Sequence, residues 1–221
     1  MRFSPRWAAL LMLLALAVAA GPAFADTPRA TLYFMGMQPA DANARDFGGS
    51  GAGGGVDLSW PLHGTDGLLS VIGGFEGASF LSRVKKIQDP VTGLRIEQHT
   101  DQFYGRMFVG GELGPHGNGF LEPYANAAVG LVLYGISTSV VIPDDVNREN
   151  SINQNLSSHD EAAFGWSAGT GLILNFGHWG LDGGVRYLQQ YGLPQQLGEG
   201  AVTIQPSYLQ YRLGVSFMIQ R

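Results

Sequence analysis

The chain of 221 residues has no cysteine, only two lysines and few charges of either sign, 14% in all. Without cysteine there is no disulfide framework, no thiolate metal site and no thiol nucleophile. A net charge of −5 argues against nucleic acid as a partner. Five dispersed histidines show no ligand spacing, so neither a metal nor another cofactor is expected. Glycine is abundant at 33 residues but follows no G-X-Y period, which excludes a collagen-like chain. Long apolar runs are scarce too. The run from Trp7 to Ala20 is about 14 residues, short of the ~20 that a spanning helix needs.

What is present begins with two arginines, that apolar run, and Ala23-Phe24-Ala25. This order predicts a secretory signal peptide over 1–25, cleaved after Ala25, and an exported domain over 26–221. Losing Arg2 and Arg6 takes the net charge from −5 to −7.

The rest of the chain alternates with a period of two, the mark of strands with unlike faces. In "SYLQYRLGVSFMIQR" the residues Leu209, Tyr211, Leu213, Val215, Phe217 and Ile219 interleave with Tyr208, Gln210, Arg212, Gly214 and Ser216. The same alternation runs through "AGGGVDLSWPL", "LSVIGGFEG", "QFYGRMFVGGEL", "LEPYANAAVGLVL", "FGWSAGTGLILNF" and "LDGGVRYLQQY". With "TLYFMGM" near 31–37, the least clearly two-faced of the set, that makes eight strands. The connections "HGTDG", "PHGNG" and "GHWG" are tight, and those near 38–50, 81–99, 141–160 and 192–206 are long. This pattern predicts an all-β fold, an eight-stranded antiparallel up-and-down transmembrane β-barrel with short periplasmic turns and long extracellular loops. The uncharged stretch 124–142 could span as a helix, but it keeps the parity of its neighbours, and a helix there would leave an open sheet in lipid.

Which face looks inward follows from bulk. One set of faces carries Trp60, Phe75, Phe103, Trp166, Phe176, Tyr187, Tyr211 and Phe217, too much for an eight-stranded interior. The other carries glycine with Asp57, Glu76, Glu112, Glu122, Asp182, Arg106, Arg186 and Arg212, which suits a narrow, self-paired lumen. A hairpin centred on residue 91 sets Glu76 opposite Arg106, an expected interior ion pair. A turn centred on Gly117 sets Glu112 opposite Glu122. Such a carboxylate pair could share a proton, sit at the periplasmic rim, or share an arginine from across the lumen.

Arg212-x-Gly214-x-x-Phe217-x-Ile219 resembles the C-terminal strand signal read by the outer-membrane β-barrel assembly machinery, here ending two residues before the last. "EPYANAAVGL" and "LDGGVRYL" are similar to strands of the small eight-stranded outer-membrane barrels of the OmpA-barrel, OmpX and opacity-protein type. The resemblance implies a Gram-negative outer-membrane location and contact with lipid, lipopolysaccharide and the assembly machinery. It also implies a monomer acting in envelope integrity, adhesion or host interaction. Lipid A-modifying barrels offer an enzymatic alternative, but there is no His-x-Ser motif, and His159, Asp160 and Ser167 are the only loose group to check. A narrow gated pore is a further alternative. Arg83, Lys85, Lys86 and Arg95 in the second long loop are candidate contacts for lipopolysaccharide phosphates.

Overall fold

Alternation starts two residues earlier than "TLYFMGM" and carries the chain straight into a ring. In the computed structural model, residues 27–219 are described except 48, 81–82, 89–94, 117–118, 143–151, 192 and 198–199. Within strands, the backbone alone is described at 83–88, 95–98, 140–142, 152–160, 193–197 and 200–204. The expected signal peptide, 1–25, lies outside the described residues.

The elements are β1 (Arg29–Pro39), α1 (Ala42–Phe47), β2 (Gly51–Pro61), β3 (Leu69–Phe80), β4 (Arg83–Gln88) and β5 (Arg95–Leu113). They continue with β6 (Leu121–Ile142), β7 (Ile152–Asn175), β8 (Trp179–Tyr191), β9 (Leu193–Leu197), β10 (Gly200–Ile204) and β11 (Ser207–Met218). Each of β1, β2, β3, β5, β6, β7, β8 and β11 pairs antiparallel with the next, and β11 returns to β1. The result is a closed eight-stranded up-and-down barrel, which leaves no sheet edge unpaired around the ring. β4 follows β3 upward along β5, while β9 and β10 form a separate hairpin. The stretch 124–142 belongs to β6 and is strand throughout.

Three of the long connections, 81–99, 141–160 and 192–206, are largely strand. β5, β6 and β7 have 19, 22 and 24 residues, against 11 to 13 for the other five ring strands, so the wall stands taller on one side. The first long connection holds α1. Asp41 caps it, its Oδ1 accepting the Ala44 amide at 2.7 Å. Asp41 Oδ2 accepts from the amide and hydroxyl of Ser207, and Tyr208 donates to the Ala44 carbonyl at 3.4 Å. α1 is thereby tied across the long-loop mouth.

The side-chain polarity is inverted relative to a soluble barrel. Phe34 is 81% exposed on the outer wall and Leu213 68%, whereas Glu76 and Arg106 are fully buried inside. Apart from Phe34, Phe75 and Tyr211, exposed aromatics of the wall fall into two belts. Phe120, Phe176, Trp179 and Phe217 lie at the short-turn end, with Phe176 stacked on Trp179 at 4.7 Å. Phe103, Phe164, Trp166, Tyr187 and Tyr191 lie toward the long loops, where the Trp166 indole donates to Tyr191 at 3.1 Å. Along β7, ten residues separate Trp166 from Phe176. With strands rising about 3.4 Å per residue and tilted by about 40°, that is about 25 Å of height, the thickness of an apolar band flanked by aromatic girdles.

Candidate functional site

Among the described residues, chemistry-bearing side chains converge in the lumen. Five carboxylates (Asp57, Glu76, Glu112, Glu122, Asp182) and four guanidiniums (Arg29, Arg106, Arg186, Arg212) are buried in it. Alternation alone turns each of them inward, and they sort by height into three groups.

At the short-turn end Arg29 of β1 reaches two carboxylates, Glu112 of β5 and, at 3.3 Å, Glu122 of β6. Ser59 also donates to Glu112 at 3.3 Å, and Asn175 to Glu122 at 2.8 Å. The expected Glu112–Glu122 cross-strand pair does not form. Glu112 faces Asn126, because the β5–β6 hairpin is centred on residue 119 instead of 117, and Glu122 lies beyond the last β5–β6 pair, Leu113–Ala125. The connection is longer than "PHGNG" suggests: Gly114 donates its amide to the Leu68 carbonyl at 2.9 Å, and His116 turns back toward Thr27. The two acids meet through a shared arginine.

One level up, Arg212 bridges Asp57 at 2.7 Å and Asp182. Its guanidinium lies over the Tyr33 ring at 4.7 Å, while Tyr124 donates to Asp182 at 2.7 Å. The Tyr124 ring occupies space that only glycine leaves open, since a Cβ on Gly171 would come within 2.2 Å of its hydroxyl.

Glu76 forms the third group. It accepts five hydrogen bonds: from Tyr33 at 2.9 Å, Tyr104 at 2.8 Å, Arg106 at 3.2 Å, Arg186 at 3.3 Å and Gln210 at 3.1 Å. Glu76 and Arg106 are direct register partners. Both guanidiniums also lie against Phe108, 4.9 and 5.1 Å from its ring centre, a cation–π arrangement strengthened where water is excluded. Directly above this group the lumen lining becomes apolar. Met35, Met37, Phe80, Tyr134, Leu188, Tyr208 and Ala44 of α1 form an apolar-aromatic layer, with Phe80 stacked on Tyr134 at 6.0 Å.

Sequence reasoning missed Arg29, the tyrosines and Phe108. Parity with Thr31 and Tyr33 was the available signal for Arg29.

The remaining candidates are dispersed. Ser167 is buried and accepts from Arg106 at 2.9 Å. His159 and Asp160 face Ile136 and Gly135 on β7. Eight residues of strand, about 27 Å, separate His159 from Ser167, so the three make no triad. Arg83 and Lys85 pair with Thr100 and Gln98, on the lumen parity. Lys86 and Arg95 take part in the Glu97 and Gln88 pairs, on the outward parity. The register thus divides the four basic residues between two faces. Arg212 and Gly214 of β11 are buried, whereas Phe217 and Ile219 face outward. Among the described residues no group of three His, Asp or Glu is placed to hold a metal ion.

His116, in a turn outside the ring strands, has its pKa pushed down to about 4 by burial and by the nearby Arg29 charge. The hydrogen bond to the Thr27 carbonyl, at 3.1 Å, opposes this in part.

No protein-family model matches the chain, and no curated protein matches it. Among solved structures, Ail, the attachment invasion locus protein of Yersinia pestis, aligns with 88% of this chain and 99% of its own at 12% identity, TM-score 0.46. A major outer membrane protein from Thermus thermophilus aligns with 86% of this chain and 99% of its own at 14% identity, TM-score 0.45. The outer membrane protease OmpT from Escherichia coli aligns with 87% of this chain and 96% of its own at 9% identity, TM-score 0.35. At such scores the likeness carries no argument about activity. The chain is a closed eight-stranded antiparallel barrel with a charged interior and an apolar outer wall, the architecture of the small outer-membrane barrels that its sequence resembles.

Proposed function

We propose that this protein is an outer-membrane barrel with a structural or surface-interaction role in the envelope and no catalytic activity. The observation that carries this reading is the inverted polarity. An apolar wall between two aromatic belts encloses nine buried charged side chains, five acidic and four basic, that pair with one another and leave one formal negative charge over. An apolar exterior suits lipid, and charges paired in this way suit an interior that carries load instead of solute. The Glu76 group inside the lumen and α1 tied across its mouth weigh against the narrow pore. A Ser167 hydroxyl engaged by Arg106 weighs against a hydrolase.

What is left for interaction is the long-loop end, where β5, β6 and β7 rise above the ring. Lys86 and Arg95, on the outward parity, are the better placed of the four basic residues for lipopolysaccharide phosphates. Insertion would be assisted by the assembly machinery reading β11.

The test is fractionation followed by gel mobility with and without boiling. A closed barrel in the outer-membrane fraction resists SDS when cold and shifts when boiled. Absence from that fraction, or unchanged mobility, overturns the reading. Lys86→Ser with Arg95→Ser is expected to weaken lipopolysaccharide binding more than Arg83→Ser with Lys85→Ser; equal binding in both removes the lipopolysaccharide contact.

A further inference from the structure

The described barrel wall has two register shifts, one in the β6–β7 ladder between Thr138 and Ser139 and one along β5. The β3–β5 ladder ends at the Ser79–Phe103 pair and the β4–β5 ladder resumes at Arg83–Thr100, so the register shifts by one residue between them. A recess of about 400 Å³ opens at this shift. It is bounded by residues from both faces of the wall: Phe80 and Ile136 from the lumen side, Ser79, Asp101, Phe103 and Ser137 from the outer side. Its size falls within the range of small-molecule pockets, about 300–1,000 Å³, and its make-up of rings and an aliphatic chain with a few polar groups is typical of them.

Chemistry and position narrow the occupant. Among the described residues Asp101 is the only charged group on the lining, and it is exposed. A phosphate, sulfate or carboxylate would meet its negative charge at close range. A cation would find a carboxylate with two hydroxyls beside it, and aromatic rings that tolerate positive charge. Phe103, 51% exposed, belongs to the upper aromatic belt, so the recess lies where the apolar band gives way to polar surface. An occupant there needs an apolar body and a polar head. We propose that the recess binds a small monocationic amphiphile, its apolar body against Phe80, Phe103 and Ile136 and its charged head at the Asp101 carboxylate.

The experiment uses the barrel in nanodiscs of zwitterionic lipid, titrated with octyltrimethylammonium and separately with octyl sulfate. Amide NMR shifts at Ser79, Asp101, Phe103 and Ser137 report occupancy. The expected result is a saturable response to the cation, confined to these residues, with the sulfate weaker by about five-fold or more. Asp101→Asn, a change at an exposed site, lowers cation affinity by about five-fold and leaves the sulfate unaffected. Gly135→Phe fills the recess and removes the response to both probes, while retained heat-modifiable mobility reports that the barrel is intact. Equal affinity for the two probes, an Asp101→Asn protein that binds the cation as before, or a response that never saturates overturns the proposal. If Gly135→Phe does not fold, Asp101→Asn alone decides.

Discussion

Up to the level of Glu76 the lumen is held by guanidinium–carboxylate contacts, whereas above it Met37, Phe80, Tyr134 and Tyr208 fill the same bore with rings and a thioether. Both regions are buried, yet they respond to change by different rules. An apolar layer depends on volume and forgives a swap that conserves it. An ionic layer depends on valence. Removing one charge without changing shape strands its partners, and the cost is far larger than the net worth of the pair. In the lower region two guanidiniums each serve two carboxylates, Arg29 for Glu112 and Glu122 and Arg212 for Asp57 and Asp182. A single loss is therefore felt on several strands.

The strongest test of this contrast is Glu76→Gln, which keeps the shape and leaves Arg106 and Arg186 without their counter-charge. It is expected to cost about 3–5 kcal/mol, read as a lowered urea midpoint in lipid vesicles. If it is neutral, the ionic region is not held by valence. Asp41→Ala removes the α1 cap and the link to Ser207 and is expected to cost about 0.5–2 kcal/mol, with faster hydrogen exchange confined to α1 and the start of β11. Met37→Leu, the apolar counterpart of Glu76→Gln, should cost less than about 1.5 kcal/mol in the same assay. A larger loss would mean that the upper layer is as unforgiving as the lower.

The last test concerns pH. His116 titrates near 4 in the fold and near its ordinary 6.5 when unfolded. As pH falls, the unfolded chain takes the proton first. Its contribution to stability is complete above 6.5 and is drawn down between 6.5 and 4. His116→Gln should flatten unfolding midpoints across that window, and an unchanged slope would place the dependence in other groups.

Strand number and inward faces were legible in the sequence because alternation determines them. The Glu76–Arg106 pair forms as expected, but not for the expected reason: next to the turn Lys86 meets Glu97 and Gln88 meets Arg95, a centre half a residue beyond 91, and only the one-residue shift between the β4–β5 and β3–β5 ladders brings Glu76 opposite Arg106. The Glu112–Glu122 pairing failed because the turn residues are spent on contacts outside the hairpin, with Leu68 and Thr27, which local composition does not reveal. β1 looked poorly two-faced for a related reason. Its inner face runs from Arg29 through Tyr33 to Met35 and Met37, crossing from the ionic region into the apolar one, so hydrophobicity stops marking the outside. α1 escaped notice because six residues give too short a period to read.

The five bonds to Glu76 come from β1, β5, β8 and β11, and Glu76 itself stands on β3. More than half of the ring must be in place before that carboxylate is satisfied. Asp57 and Asp182 likewise wait for Arg212 on the final strand. A half-built sheet entering lipid would carry acids without their bases, so partial intermediates are penalised and the seam between β1 and β11 closes as one event. The lumen acts as a latch on assembly, set only when the last strand arrives.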